Sequence, residues 1–139
     1  MSGTVANQPL VYDAATEAMI NAFTALLNGG TIQVYTGAQP AADGALTGTL
    51  LATLTFSATA FAAATASGSG GSAAAGAIES GTAGNTGTAG YFALVSSGSA
   101  TIGTGSVGTS GADLNFNTLT IVSGAIVACT AFSVTQAQT

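Results

Sequence analysis

The chain has 139 residues, 47% of them hydrophobic, with five acids (Asp13, Glu17, Asp43, Glu79, Asp113) and no Lys, Arg or His, for a net charge of −5. No nucleic acid is expected as a partner, since phosphate backbones are held chiefly by cations that release counterions; membrane surfaces are disfavoured likewise. Without cations there are no side-chain ion pairs, so stability must come from burial and hydrogen bonding, and the length suits one domain.

Residues 1–12, "MSGTVANQPLVY", read as an extended arm: Pro9 biases Gln8 away from helix, and periodicity is weak. No positive opening precedes a long apolar run, so no secretory signal is expected. Gly, Thr and Ser interrupt every apolar stretch before it reaches the ~20 residues of a spanning helix. Synthesis in a cytoplasm, as a chain that stays soluble there, follows as the expectation. Asp13 is placed as the N-cap of a helix over about 13–28, with Glu17 in its favourable first turn. Its buried face is read as Ala15, Met19, Ala22, Phe23, Leu26 and Leu27, and "NGG" at 28–30 stops it.

From Thr31 the period becomes two, the spacing of strands. Ile32 and Val34 alternate with Gln33 and Tyr35; Leu50, Ala52, Leu54 and Phe56 alternate with threonines. In "TAGYFALV", Gly90, Phe92 and Leu94 share one face, with Tyr91 and Val95 on the other. "NTLTIV" (117–122) and "AIVACTAFSVT" (125–135) read as a closing hairpin turned near Ser123-Gly124. Turn-rich clusters fill 37–48, 66–76, 80–87 and 103–113. The low-complexity stretch 61–77 is expected to hold a loop, mobile or ordered by a partner. The predicted class is mainly β: an antiparallel β-sandwich, jelly-roll-like, over 13–139 as a single domain, with one N-terminal α-helix as a lid and the extended arm before it.

"GTGSVG" (103–108) matches G-x-G-x-x-G, the phosphate-cradling fingerprint of dinucleotide folds. That motif needs a strand before it, a helix after it and an acid about 20 residues on. "SATIG" can supply the strand, but "TSGADLNFNT" has turn chemistry and "VSGAIVA" (122–128) has no carboxylate. No cofactor is therefore expected, and the glycines are assigned to positive φ and a sharp reversal between strands.

Asp113, Asn115 and Asn117 alternate like calcium-loop ligands, yet one carboxylate among amides is poor in charge for such a site. An Asx-type turn is the preferred reading, no metal is expected, and Asp43-Gly44 is read as a turn dipeptide. Acid–base chemistry is left with a carboxylate dyad, which would require Glu79 and Asp113 to meet in space. No G-x-S-x-G elbow exists, and Cys129 reads as a small core residue rather than a nucleophile. No enzyme is expected. Tyr12, Tyr35 and Tyr91 read either as interface anchors or as half-buried sheet residues.

The succession of a short amphipathic helix, "IQVYTGAQP", "LLATLTFS", "GTAGYFALV", "GSVGTSGADLNFNT" and a closing hydrophobic hairpin resembles a group of small virion proteins of tailed bacteriophages, similar to capsid decoration (cement) proteins. The resemblance covers about Asp13 to Gln136; "GSVGTSGADLNFN" is its most specific piece, and the Ala/Gly/Ser segment carries none of it. In that group arginine often follows the "YF" pair and tryptophan often precedes the Phe; here Ala93 and Tyr91 stand in those places. The resemblance implies a structural protein on the capsid exterior that binds the major capsid protein as a homo-oligomer. Contact residues are expected in the arm (Leu10, Val11, Tyr12) and in the loop Gly111–Asn117, with Gly111, Asp113, Asn115 and Asn117 foremost. The competing expectation is a tail or fibre component that binds a host glycan or protein, with Tyr91 or Asn115 against the sugar.

Overall fold

The computed structural model describes residues 12–68, 70–116, 118–129 and 131–137. Helix α1 spans Asp13–Ala25. Five alanines in this stretch favour helix strongly. Its N-cap is Tyr12, in an extended conformation and making no side-chain cap bond, so Asp13 is the first helical residue and not the cap. The carboxylate still lies at the positive end of the helix dipole. A turn through residues 26–29 ends the helix, with Gly29 left-handed at φ 68°. The expected stop is therefore correct.

The strands among the described residues are β1 Thr31–Thr36, β2 Leu50–Phe56, β3 Thr65–Ala66, β4 Gly70–Ala74, β5 Ile78–Glu79, β6 Gly81–Thr82, β7 Gly87–Val95, β8 Thr101–Gly108, β9 Leu114–Asn115, β10 Thr120–Ile121, β11 Ile126–Val127 and β12 Ser133–Ala137. The main sheet runs β5-β2-β1-β7-β8-β9, with β10 also on β7. A second sheet is β12-β4-β3, and β11 pairs with β6. All pairings are antiparallel except β8 with β9. The chain is mainly β with one N-terminal helix, as its alternating periodicity predicts.

The core is one cluster that joins Ile20 and Leu27 of the helix to Ile32, Val34, Leu54, Phe56 and Phe92 of the main sheet. Phe132, just before β12, packs its ring against Phe56, Phe61 and Phe92 with centroids 5.8–6.3 Å apart. This knot ties the end of the chain to both sheets.

Several expectations fail for identifiable reasons. The helix turns Thr16, Ile20, Thr24 and Leu27 inward, while Ala15, Met19, Ala22 and Leu26 are exposed. What the helix packs on decides this: its neighbours are β3, β4 and β12, and β4 is the glycine- and alanine-rich strand "GGSAA". The stretch 66–76, expected as a mobile or partner-ordered loop, thus contains the central strand of a sheet. Gly71 explains the choice of residue, since a Cβ there would lie 2.9 Å from Thr16 Cγ2 and 3.0 Å from Ile20 Cδ1. Small side chains are what let the helix lie close on this sheet.

A polar row completes the docking. Asp13 Oδ1 accepts from Gly68 N–H (2.9 Å), Glu17 Oε2 from Ala66 N–H (3.1 Å), Asn21 Oδ1 from Ala64 N–H (2.9 Å) and Asn28 Oδ1 from Ala60 N–H (2.9 Å). The helix edge therefore supplies acceptors for a segment whose amides would otherwise lack partners. Helix position and charge placement follow from this one row.

In β2 a register shift opposite Val34/Tyr35 breaks the expected alternation. Leu51 is buried and Leu50 is left at the surface. The expected closing hairpin is absent among the described residues: the turn at Val122–Ala125 is present, but β10 joins β7, β11 joins β6 and β12 joins β4. The C-terminal segment is thus shared among three pairings.

Candidate contact surfaces

The sequence "GTGSVG" lies wholly inside β8 and is followed by a loop, not by a helix. Its glycines do not take positive φ and make no reversal; the left-handed glycine of this region is Gly111, at φ 70°. Gly105 has a steric reason instead, because a Cβ there would collide with Cε1 and Cζ of Phe92 on the neighbouring strand. The glycine leaves room for the ring at the core's edge.

The loop from Thr109 to Asp113 is held by its own side chains. Asp113 Oδ2 accepts from Ser106 N–H (3.1 Å) and Ser106 Oγ–H (3.2 Å), and Ser106 Oγ lies 3.2 Å from Asp113 N–H as its acceptor. Asn115 brackets Ala112, accepting from its N–H and donating to its C=O, each at 3.1 Å. The carboxylate thus braces the loop to β8, and does not close an Asx turn of its own. Among the described residues no three His, Cys, Asp or Glu side chains gather as metal ligands would.

Glu79 and Asp113 do not meet. Glu79 is on β5 at one edge of the main sheet, and Asp113 bonds to β8 near the other edge, four strand spacings away. An open groove of about 560 Å³ runs beside this loop between Leu114–Phe116 and Ala125–Cys129. Cys129 borders it, half-buried, with Sγ donating to Ala131 C=O at 3.3 Å. Burial pushes its thiol up from the usual 9.0. A thiol held neutral in this way is a poor nucleophile.

The tyrosines separate by role. Tyr91 is fully buried: its hydroxyl donates to Thr47 C=O and accepts from Thr47 N–H, and its ring stacks on Tyr35 at 5.3 Å. It clamps the loop 37–48 onto the sheet, so both faces of β7 are covered and Tyr91 through Val95 are all buried. Tyr91 is unavailable to a sugar, and both polar atoms of Asn115 are engaged. Tyr12 is 83% exposed. Leu10, Val11 and Asn117 lie outside the described residues.

The sequence reading missed the apolar surface. Met19 and Leu26 are exposed on α1, and Leu50, Val122 and Ile126 are exposed around the turn at 83–86, which bonds to Leu50, Leu51, Ser123, Gly124 and Ala125. The available signal for the first group was the polar row 13, 17, 21, 28, which fixes the inward flank of the helix. None existed for the second, since Ile126 sits in an ordinary apolar run. No helix among the described residues is long and apolar enough to cross a membrane. Comparison of the chain with protein families, with curated proteins and with solved structures finds no match.

Proposed function

We propose that this chain is a structural virion protein: a capsid decoration (cement) protein that docks on the major capsid protein lattice from outside, as a homo-oligomer, and stabilises the head. The observation that supports it most directly is the kind of surface presented. Large apolar side chains (Tyr12, Met19, Leu26, Val122, Ile126) are exposed, while the carboxylates of Asp13, Glu17 and Asp113 are turned to backbone amides. Such a surface suits burial against protein. Weak contacts repeated over a lattice then add up to firm attachment.

Binding of purified protein to heads that lack it tests this reading. Attachment through the exposed apolar side chains should persist or strengthen at ~1 M salt, where exposed charge pairs are screened. Co-sedimentation with the heads measures it. Loss of binding on raising salt, or none at any salt, would count against the proposal.

The tail or fibre reading loses Tyr91, which is fully buried, and keeps Asn115, which is exposed. It would be favoured if the purified protein bound host cells rather than heads.

A further inference from the structure

We infer that the outward face of α1 is a self-association surface whose occupant is the same face of a second copy, packed antiparallel. Along this face Tyr12, Ala15, Met19, Ala22 and Leu26 form one stripe at three- and four-residue steps. The large members are 83%, 47% and 53% exposed, and the two alanines are exposed as well.

Two features single out a second copy as the occupant. The stripe alternates large and small, so it is complementary to its own reverse. An antiparallel two-fold that sets Met19 opposite Ala22 sets Leu26 opposite Ala15, which seats Met19 and Leu26 each over an alanine of the other copy. A two-fold interface demands this self-complementarity of a single patch. Alanines at the contact allow the close end of the usual 8–10 Å helix separation.

Charge is the second feature. Two copies of a chain with net charge −5 and no cation repel unless they meet through a neutral patch. Asp13 and Glu17, the acids of α1, are turned to the flank where they bind Gly68 and Ala66, so the outward stripe carries no charge. Antiparallel pairing also opposes the two helix dipoles favourably.

The area sets the strength. A helix of 13 residues is about 20 Å long, and one such face buries well under the ~1,200 Å² of a standard stable interface. The pairing is therefore weak in free solution, with a dissociation constant of roughly 10 μM to 1 mM, and becomes occupied where copies are held side by side. This names the surface for the homo-oligomer proposed above, yet it is decided in purified protein with no capsid present.

The test is sedimentation equilibrium of the full chain up to about 1 mM, with Met19→Lys and Leu26→Lys alongside. Both sites are exposed, so circular dichroism should show unchanged folding. The expected result is a concentration-dependent dimer that each lysine weakens by roughly tenfold or more. In a Cys129→Ala background, oxidation of Met19→Cys mixed with Ala22→Cys should favour the mixed disulfide over either self-linked product. A chain monomeric throughout, or a dimer that both lysines leave intact, overturns the inference. So does a monomer whose lysine variants lose head binding, which would give the face to the capsid protein. Dimer formation only after deletion of residues 1–11 would give it to that segment instead.

Discussion

Single atoms already separate what this chain tolerates from what it requires. Thr16 is fully buried on the inner face of α1, and its Oγ1 has no hydrogen-bond partner among the described residues. An unsatisfied buried hydroxyl costs free energy that a methyl of the same shape does not. Thr16→Val should therefore raise stability by about 1 kcal/mol, read as a higher urea midpoint; a lower midpoint would mean the hydroxyl has a role that the packing does not reveal.

Tyr35 behaves oppositely. Burial first, and the neighbouring Tyr91 second, raise its phenol above the usual 10.0. The unfolded chain then ionises before the folded one, so the contribution is fully present below the ordinary value and is lost as pH rises past it. Urea midpoints should fall as pH rises past about 10, less steeply in Tyr35→Phe. An equal fall in both would remove Tyr35 as the source. Neither environment was legible in the sequence, because the loop that covers Tyr91, and with it the Tyr35 stack, lies 44 positions earlier at Thr47 and is a turn cluster with no apolar pattern of its own.

Among the elements, α1 and β4 specify each other. The helix itself was legible, from five alanines and the Asn-Gly-Gly stop. Its orientation was legible only in part: of the stripe at 15, 19, 22, 23, 26 and 27, Phe23 and Leu27 pack on the core while the others face out, and Thr16, Ile20 and Thr24 turn inward instead. The orientation is fixed by amides at 60, 64, 66 and 68 that need acceptors. β4 was illegible for the matching reason: glycine and alanine have low strand preference, and only the helix lying over Gly71 makes that composition sensible.

The row predicts a graded response. Asn21→Ala removes the acceptor of Ala64 N–H and should cost about 1 kcal/mol, while Asn21→Asp, which keeps an oxygen there, should cost less. Chemical denaturation of the three proteins distinguishes them. Equal losses in both variants would mean the row contributes nothing through Asn21. Elsewhere β1 followed its period-two pattern, whereas β7 is buried on both faces from Tyr91 to Val95 and the closing segment formed no hairpin. Alternation marks a strand but does not name its partner, so two adjacent strand-like runs read as a hairpin even though the fold sends them to separate sheets.

Across the whole molecule, the charge inventory was the most informative part of the sequence. Five acids and no cation leave burial and hydrogen bonds as the sources of stability, and the structure spends three of the acids on backbone amides. The loop at 111–115 was legible as a turn, and its brace to Ser106 was not, since seven residues of separation carry no pattern. Asp43 and Glu79 stay exposed, while other parts of the surface are neutral and strongly apolar, the character on which the proposed attachment to a capsid rests.

Imaging intact virions by cryo-electron microscopy tests that central claim most directly. The account predicts stoichiometric density for this fold on the outer surface of the major capsid protein, with neighbouring copies close enough for contact between them. Density confined to the tail, or no density in the virion, would contradict it.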